Sequence, residues 1–210
     1  MKEALELKKK YLNEREKLFD ALIKSNDGVN FNKNHTQLVD RIVKALVKEI
    51  LNHSPVSNFS LIAVGGYGRQ DLSPKSDVDL LFLYQKSNKN IREFITALNN
   101  SLWDLGLEVG ISFLTIKQAI IDSKKDIKTV TKFAESRHLI GDYEQYGEFV
   151  RSIKILIGKL NTLKLSEKKL LELVDRHEYY LGIKSNLEPQ IKEGIGGLRD
   201  IHTILWISIF

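Results

Sequence analysis

The sequence contains no cysteine, which excludes a disulfide framework, thiolate metal sites, iron–sulfur clusters and a cysteine nucleophile. Long apolar runs are also missing. The most apolar stretch, Ile204 to Phe210, is far shorter than the roughly 18 residues that a membrane-spanning helix requires. The first ten residues carry two glutamates and no apolar core, so we expect no secretory signal. These features favour a cytoplasmic protein with no membrane partner.

A strong charge of either sign is lacking as well. Lysine and arginine number 32 against 27 acidic residues, which gives a net charge of +5 and a pI near 9.2. The basic residues are dispersed among acids, a pattern more typical of solvated helix surfaces than of a nucleic-acid interface. No basic stripe with interleaved aromatic residues occurs, so we do not expect nucleic acid as a partner. With 42% hydrophobic and 28% charged residues, the chain should bury a sizeable core.

The spacing of apolar residues divides the chain into three segments. Residues 1–57 show helical spacing twice, separated by a polar loop at 25–33. Residues 58–142 contain runs of strand length at 60–64, 78–84 and 107–114, and the helical spacing between 126 and 139 predicts a helix there. Residues 143–210 are helical again, interrupted by an irregular loop from Pro189 to Gly197, and we expect this segment to be truncated within a larger helical context. The fold class predicted is therefore α+β, with a small core between helical segments.

The most informative segment is LIAVGGYGRQDLSPKSDVDLLFLY, residues 61–84. A strand that runs into Gly65 and Gly66 lets the backbone approach an anion closely, because neither residue has a Cβ atom and positive φ is permitted. A helical turn from 67 to 72 would then direct free N–H groups at that anion. Phosphate is the ligand that this arrangement favours.

Asp77 and Asp79 come next, at the start of the second strand. Residues two apart in a strand share a face, and two adjacent carboxylates repel unless a divalent cation neutralises them. With the glycine pair, they predict a two-metal Mg²⁺ site for a nucleoside triphosphate, with pyrophosphate as the leaving group. Further groups that could hold the triphosphate are the side chains of Arg69, Ser73, Lys75 and Ser76.

Each motif alone is weak, because glycine pairs usually mark ordinary turns and Asp-x-Asp is commonly a solvated strand edge. The segment is not a P-loop, since no Gly-Lys-Ser/Thr closes it. A dinucleotide fingerprint is also excluded, because Asp71 occupies the position of its third glycine. The combined order of strand, glycine turn, loop and acidic strand is what gives the motif its specificity.

Four blocks in this order resemble one family. They are GGYGRQDLSPKSDVDLLFL, LWDLGLEVG, ESRHLIGD and NLEPQIKEGIGGLRDIHTILWI, which are similar to the N-terminal part of bacterial [protein-PII] uridylyltransferases, in the DNA polymerase β nucleotidyltransferase superfamily. The resemblance implies a polymerase β-like core with a small mixed sheet. It also implies magnesium-dependent transfer of UMP from UTP to a tyrosine of the nitrogen regulatory protein PII. Asp77 and Asp79 would bind the metal, and Gly65 and Gly66 would lie at the triphosphate.

The superfamily usually adds a third carboxylate from a neighbouring strand, for which Glu108 is the candidate and Asp104 the alternative. The chain departs from the family's Gly-His-Ser-x-Arg-Thr stretch, because residues 110–115 read GISFLT. This departure leaves two alternatives open. One is a nucleotidyltransferase with a different protein or small-molecule acceptor, and the other is a non-catalytic nucleotide-binding regulatory module. Trp103 and Trp206 lie on apolar helical stripes, which predicts core packing rather than base stacking.

Overall fold

The computed structural model describes residues 2–183 and 190–209. Helices in this part of the chain are α1 (Lys2–Ser25), α2 (Gly28–His53), α3 (Gly65–Gly68), α4 (Lys89–Asp104), α5 (Ile116–Lys125), α6 (Ile127–Ala134), α7 (Tyr143–Lys159), α8 (Thr162–Ile183) and α9 (Leu198–Ile209). The strands are β1 (Phe59–Ala63), β2 (Val78–Tyr84), β3 (Val109–Leu114) and β4 (Arg137–Gly141). The α+β class is confirmed. No helix among these residues is long and apolar enough to cross a membrane.

The strands form a four-stranded sheet in the order β3-β2-β1-β4. β1 pairs antiparallel with both β2 and β4, whereas β2 pairs parallel with β3. The sheet is therefore mixed, as expected. All five residues of β1 are buried, which fits a central strand covered on both faces. The connection between the central strands β1 and β2 contains the glycine turn and Asp77.

The core joins this sheet to α2 and α4. Three aromatic rings lie at its centre, because the rings of Phe59 and Phe82 stack 5.1 Å apart and Phe94 of α4 lies 5.5 and 5.6 Å from them. α2 contributes the stripe Leu38, Val39, Ile42, Val43, Leu46 and Val47, all buried. This packing fixes the position of β2, whose first residues carry the acidic pair.

The described chain divides into two compact units. The first comprises Met1–Ala119 and Lys132–Arg151, and thus contains the whole sheet together with α1, α2 and α4. The second comprises Ile120–Thr131 and Ser152–Phe210, and includes α8 and α9. The division into segments 1–57, 58–142 and 143–210 stays a prediction.

Asp200 organises the second unit. It accepts hydrogen bonds from Arg176, from His177 of α8 and from the backbone N–H of Gly196. Burial acts to raise the pKa of Asp200, but these hydrogen bonds outweigh it and the net pKa is lowered. The ammonium of Lys169 lies 4.5 Å from the ring centroid of Trp206, which is buried as predicted. α8 and α9 are therefore joined by charged hydrogen bonds and by a cation–π contact.

Two local predictions were wrong. The loop expected at 25–33 is short, because α2 begins at Gly28, where the Asp27 side chain accepts from the Asn30 N–H and caps the helix. The helix expected from 126 to 139 ends at Ala134, and β4 follows it. β4 is an edge strand with only Leu139 fully buried, so its own residues carry little strand signal and its partner β1 lies far away in sequence. Pro189, the predicted start of the irregular loop, lies outside the described residues.

Gly68 offers a test of how the glycine turn is supported. A Cβ atom at this position would overlap the carbonyl oxygen of Glu135 and lie 3.0 Å from that of Ala63. Because both neighbours are backbone atoms, we expect Gly68→Ala to destabilise the fold by about 3 kcal/mol, at the upper end of the usual cost of overpacking. Urea unfolding followed by circular dichroism measures this change.

Gly147→Ala is the matched control. Gly147 lies within α7, where a Cβ atom would meet only the end of the Arg151 side chain at 3.5 Å. Alanine there should stabilise the helix by up to about 1 kcal/mol. Equal midpoints for the two variants would contradict the close packing at Gly68.

Candidate active site

The acidic pair lies at the entrance of β2. Asp77 precedes the strand and is exposed, Val78 is buried, Asp79 is half-buried and Leu80 is buried. This alternation follows from the two-residue period of a strand, and it directs both carboxylates away from the core. The apolar residues between and after them anchor the strand, so the carboxylates are held together despite their like charge.

The parallel neighbour β3 contributes to the same face. Asp79 pairs in register with Gly110, and the Val78 N–H donates to the carbonyl oxygen of Glu108 at 2.8 Å. Paired residues of adjacent strands share a face, so Glu108 lies beside the acidic pair. A cavity of about 640 Å³ is lined by Asp77, Asp79, Trp103, Gly106, Leu107, Glu108, Val109 and Gly110.

Glu108 is thus brought to the acidic pair, whereas Asp104 is not among the residues that line the cavity. Within residues 2–183 and 190–209, however, no three His, Cys, Asp or Glu side chains come together as a group that could hold a metal ion. The role of Glu108 as third carboxylate therefore stays a prediction.

The glycine turn lies against Asp79. Helix α3 is a single turn that begins at Gly65, earlier than the helical turn expected at 67–72, and Gly65 has φ of +58°. A Cβ atom on Gly65 would lie 3.5 Å from Oδ2 of Asp79. The backbone is tied to the same residue, because the Val64 N–H donates to the Asp79 carbonyl oxygen at 3.1 Å. Glycine is needed here for the left-handed backbone, whereas a Cβ atom would make only ordinary van der Waals contact with Asp79.

Tyr67 anchors the turn through its fully buried side chain. The Arg137 guanidinium lies over its ring, 5.5 Å from the centroid. Arg137 also donates to the Tyr67 carbonyl oxygen and forms a bidentate ion pair with Asp40 of α2, at 2.6 and 3.0 Å. Burial, followed by the neighbouring Asp40 carboxylate, raises the pKa of Tyr67 well above 10. The phenol is therefore neutral, and the turn rests on a rigid support.

Two of the four further candidates for holding the triphosphate, Arg69 and Ser76, have protein partners. Arg69 lies beside Gly66, but its guanidinium forms an ion pair with Glu135 and lies 4.0 Å from the Asp71 carboxylate. The Ser76 hydroxyl accepts from the Ser73 N–H at 3.0 Å and closes the loop before β2. Contact of either residue with a nucleotide stays a prediction.

Sequence reasoning missed Lys132 of α6. Its Nζ atom donates to Oδ1 of Asp79 at 2.8 Å. The two residues are 53 positions apart, and nothing in the local sequence distinguishes Lys132 from the many other lysines of the chain. Only the three-dimensional packing identifies it as part of the site.

Trp103 corrects a prediction. It was expected in the core, yet it is 65% exposed and lines the cavity. The buried stripe of α4 consists of Ile91, Phe94, Leu98 and Leu102, and the next residue along a helix points about 100° away from such a stripe. Trp103 therefore presents an aromatic ring beside the acidic face.

The donor set fits a divalent cation. Carboxylate oxygens are the ligands that Mg²⁺ prefers, and Asp77 and Asp79 present them from one strand face. Glycine lies on each side of Asp79, and a Cβ atom on Gly110 would come within 3.1 Å of its Oδ1 atom. These two glycines leave room around the carboxylate that a side chain would occupy.

Comparison with known proteins adds two family matches. Residues 39–138 match the nucleotidyltransferase domain, and residues 164–210 match the family described as GlnD PII-uridylyltransferase. A crystal structure of a toxin–antitoxin with AMP-PNP is 16% identical, with a TM-score of 0.35, and covers 62% of this chain and 95% of its own. That likeness is too weak to bear on the function.

Curated relatives are named bifunctional uridylyltransferase/uridylyl-removing enzymes. The relative from Chromobacterium violaceum is 37% identical over 92% of this chain and 22% of its own length. Relatives from Erythrobacter litoralis and Pseudoalteromonas translucida are 34% and 38% identical, over 99% and 91% of this chain and 23% and 22% of their own lengths. The chain spans about a fifth of the length of these relatives. It contains a match to the nucleotidyltransferase domain and belongs to the family of the protein-PII uridylyltransferases, as its four sequence blocks predicted.

Proposed function

We propose that this chain catalyses the magnesium-dependent transfer of UMP from UTP to a tyrosine hydroxyl of a PII-type signalling protein, in the cytoplasm. The observation that supports the proposal is that the glycine turn lies against Asp79, so that a phosphate held at the turn would be close to a carboxylate that could bind Mg²⁺. The names of the relatives supply the uridylyl group as what is transferred, the resemblance of the four sequence blocks implies UTP as its donor, and the matched family description supplies PII as the acceptor.

The residues have separate roles in this proposal. Asp77 and Asp79 would hold Mg²⁺, which neutralises phosphate charge and favours in-line displacement. Gly65 and Gly66 admit the β and γ phosphates, and Arg69 and Ser76 flank them. Positioning and electrostatic stabilisation then provide most of the rate enhancement.

Glu108 is proposed as the base. It lines the cavity with the acidic pair, and a carboxylate there can accept the proton of the attacking hydroxyl. A bond forms between the acceptor oxygen and the α-phosphorus, while the bond from that phosphorus to pyrophosphate breaks. The Trp103 and Leu107 side chains supply an apolar wall for a planar ring, either the uracil base or the acceptor tyrosine.

The departure at residues 110–115 falls on both faces of β3, because its two changed positions are 111 and 114. Ile111 and Phe113 pair with Leu80 and Phe82, which are fully buried, and both pack against the hydrophobic core. A changed residue at 111 therefore alters packing on the opposite face from Asp79, whereas Leu114, in the family's arginine position, pairs with Leu83 and shares the face of Gly110 and Asp79. A different acceptor and a regulatory module both stay alternatives for the assay to distinguish.

Transfer of label tests the proposal. α-labelled UTP, with ATP in parallel, is incubated with PII and Mg²⁺, and labelled PII is counted. We expect Asp77→Asn and Asp79→Asn to lower transfer at least a hundredfold, because each removes a negative ligand. Glu108→Gln should lower it within the 10²- to 10⁴-fold range of a general base, whereas Asp104→Asn, outside the cavity lining, should leave it unchanged. If both aspartate variants transferred label at the wild-type level, the proposed site would be wrong.

Trp103 provides a direct signal of ligand binding. Because it is exposed within the cavity and Trp206 is buried in the other unit, we expect Mg²⁺ with UTP to change tryptophan emission through Trp103. Trp103→Phe should abolish this response while retaining the emission of Trp206. A response of full size in Trp103→Phe would show that the nucleotide does not reach this cavity.

A further inference from the structure

Lys132 occupies a position that the proposed reaction leaves unexplained. Its ammonium forms an ion pair with Asp79, one of the two carboxylates assigned to the metal, with 2.8 Å between Nζ and Oδ1. An oxygen that accepts from an ammonium at this distance presents less negative charge to a second cation. Lys132 and a metal ion therefore compete for Asp79.

The side chain of Lys132 also passes the glycine turn. Its Cγ atom lies 3.8 Å from the position of a Cβ atom on Gly65, and Oδ2 of Asp79 lies 3.5 Å from the same position. The lysine thus runs along the gap between the turn and the acidic pair. An anion bound at Gly65 would be within reach of its ammonium by rotation of a flexible side chain.

The ion pair is of a kind that can exchange partners. The Lys132 and Asp79 side chains are 34% and 35% exposed, and pairs that water reaches are weak. Lysine carries its charge on a long stem with several rotatable bonds. A triphosphate with several negative charges is a stronger partner for the ammonium than one carboxylate.

We propose that Lys132 is a partner-exchanging residue. It holds Asp79 while the site is empty and moves to the triphosphate when the nucleotide and its metal bind together. The inference rests on the proposed function and deepens it. Lys132 would then oppose binding of metal alone, support binding of nucleotide, and make each ligand favour the other.

Two affinities that should move in opposite directions test this exchange. Lys132→Met keeps most of the stem and removes the charge. We expect binding of Mn²⁺ alone, followed by the loss of the free Mn²⁺ electron paramagnetic resonance signal, to tighten about threefold to tenfold. Binding of labelled UTP in EDTA, followed by equilibrium dialysis, should weaken by a similar factor. A merely structural lysine would not shift these affinities in opposite senses.

Two further variants sharpen the result. Lys128→Met removes a lysine one turn earlier on α6, whose ammonium lies 3.8 Å from the Glu172 carboxylate and whose side chain is 70% exposed, so it controls for net charge and should change neither affinity. Lys132→Arg keeps the charge and should retain UTP binding. In an Asp79→Asn background, Lys132→Met should no longer tighten Mn²⁺ binding, because the competing carboxylate is gone.

The outcomes distinguish failure of the partner exchange from failure of the proposed function. If the wild-type chain binds Mn²⁺ with UTP but Lys132→Met leaves both affinities unchanged, or lowers both, the exchange is wrong and the proposed function stands. If the wild-type chain binds neither Mn²⁺ nor UTP under any condition, the proposed function fails and the exchange fails with it. Thermal unfolding of each variant shows whether a loss of binding comes from a loss of folding. If Lys132→Met does not fold, UTP binding by Lys132→Arg tests the exchange instead: retained binding supports it, and lost binding in a folded variant contradicts it.

Discussion

Repulsion between Asp77 and Asp79 is the constraint to which the rest of the first unit responds. The two carboxylates share one face because Val78, between them, and Leu80, after them, are buried. The free energy gained by burying these apolar side chains offsets the electrostatic repulsion between the carboxylates. Glycine on both sides of Asp79 keeps that carboxylate accessible. The lysine on α6 supplies the compensating charge. The acidic pair that is proposed to bind a metal ion is thus neutralised in part by a lysine of the chain itself.

The last turn of α6 links the two halves of the site. Lys132 reaches Asp79, and Glu135, just beyond the helix, pairs with Arg69 while its carbonyl oxygen packs against Gly68. A short segment thereby contacts both the acidic strand and the glycine turn. The glycines of the GGYG motif have distinct functions as a result. Gly65 allows a left-handed backbone beside a carboxylate, whereas Gly68 allows two backbone segments to touch.

Sequence reasoning succeeded where the signal was local. β2 was predicted at Val78–Tyr84 and begins and ends at those residues, because this largely apolar run lies between Asp77 and a polar loop. Glu108 lines the same cavity as Asp77, whereas its role as the third carboxylate stays a prediction. β4 and Lys132 were missed for one shared reason. Each depends on a partner far away in sequence, since β4 pairs with β1 and Lys132 pairs with a residue 53 positions earlier.

Partner exchange at Lys132 would give the site a property that neither ligand has alone. Binding of one ligand that releases a group needed by the other couples the two affinities, and linkage requires the coupling to be reciprocal. Metal that takes Asp79 frees the ammonium for phosphate, and phosphate that takes the ammonium frees Asp79 for metal. An otherwise competing lysine thereby selects for the metal–nucleotide complex over either component. A single ion pair on the acidic face is sufficient for this selection, because Asp79 lies against the glycine turn.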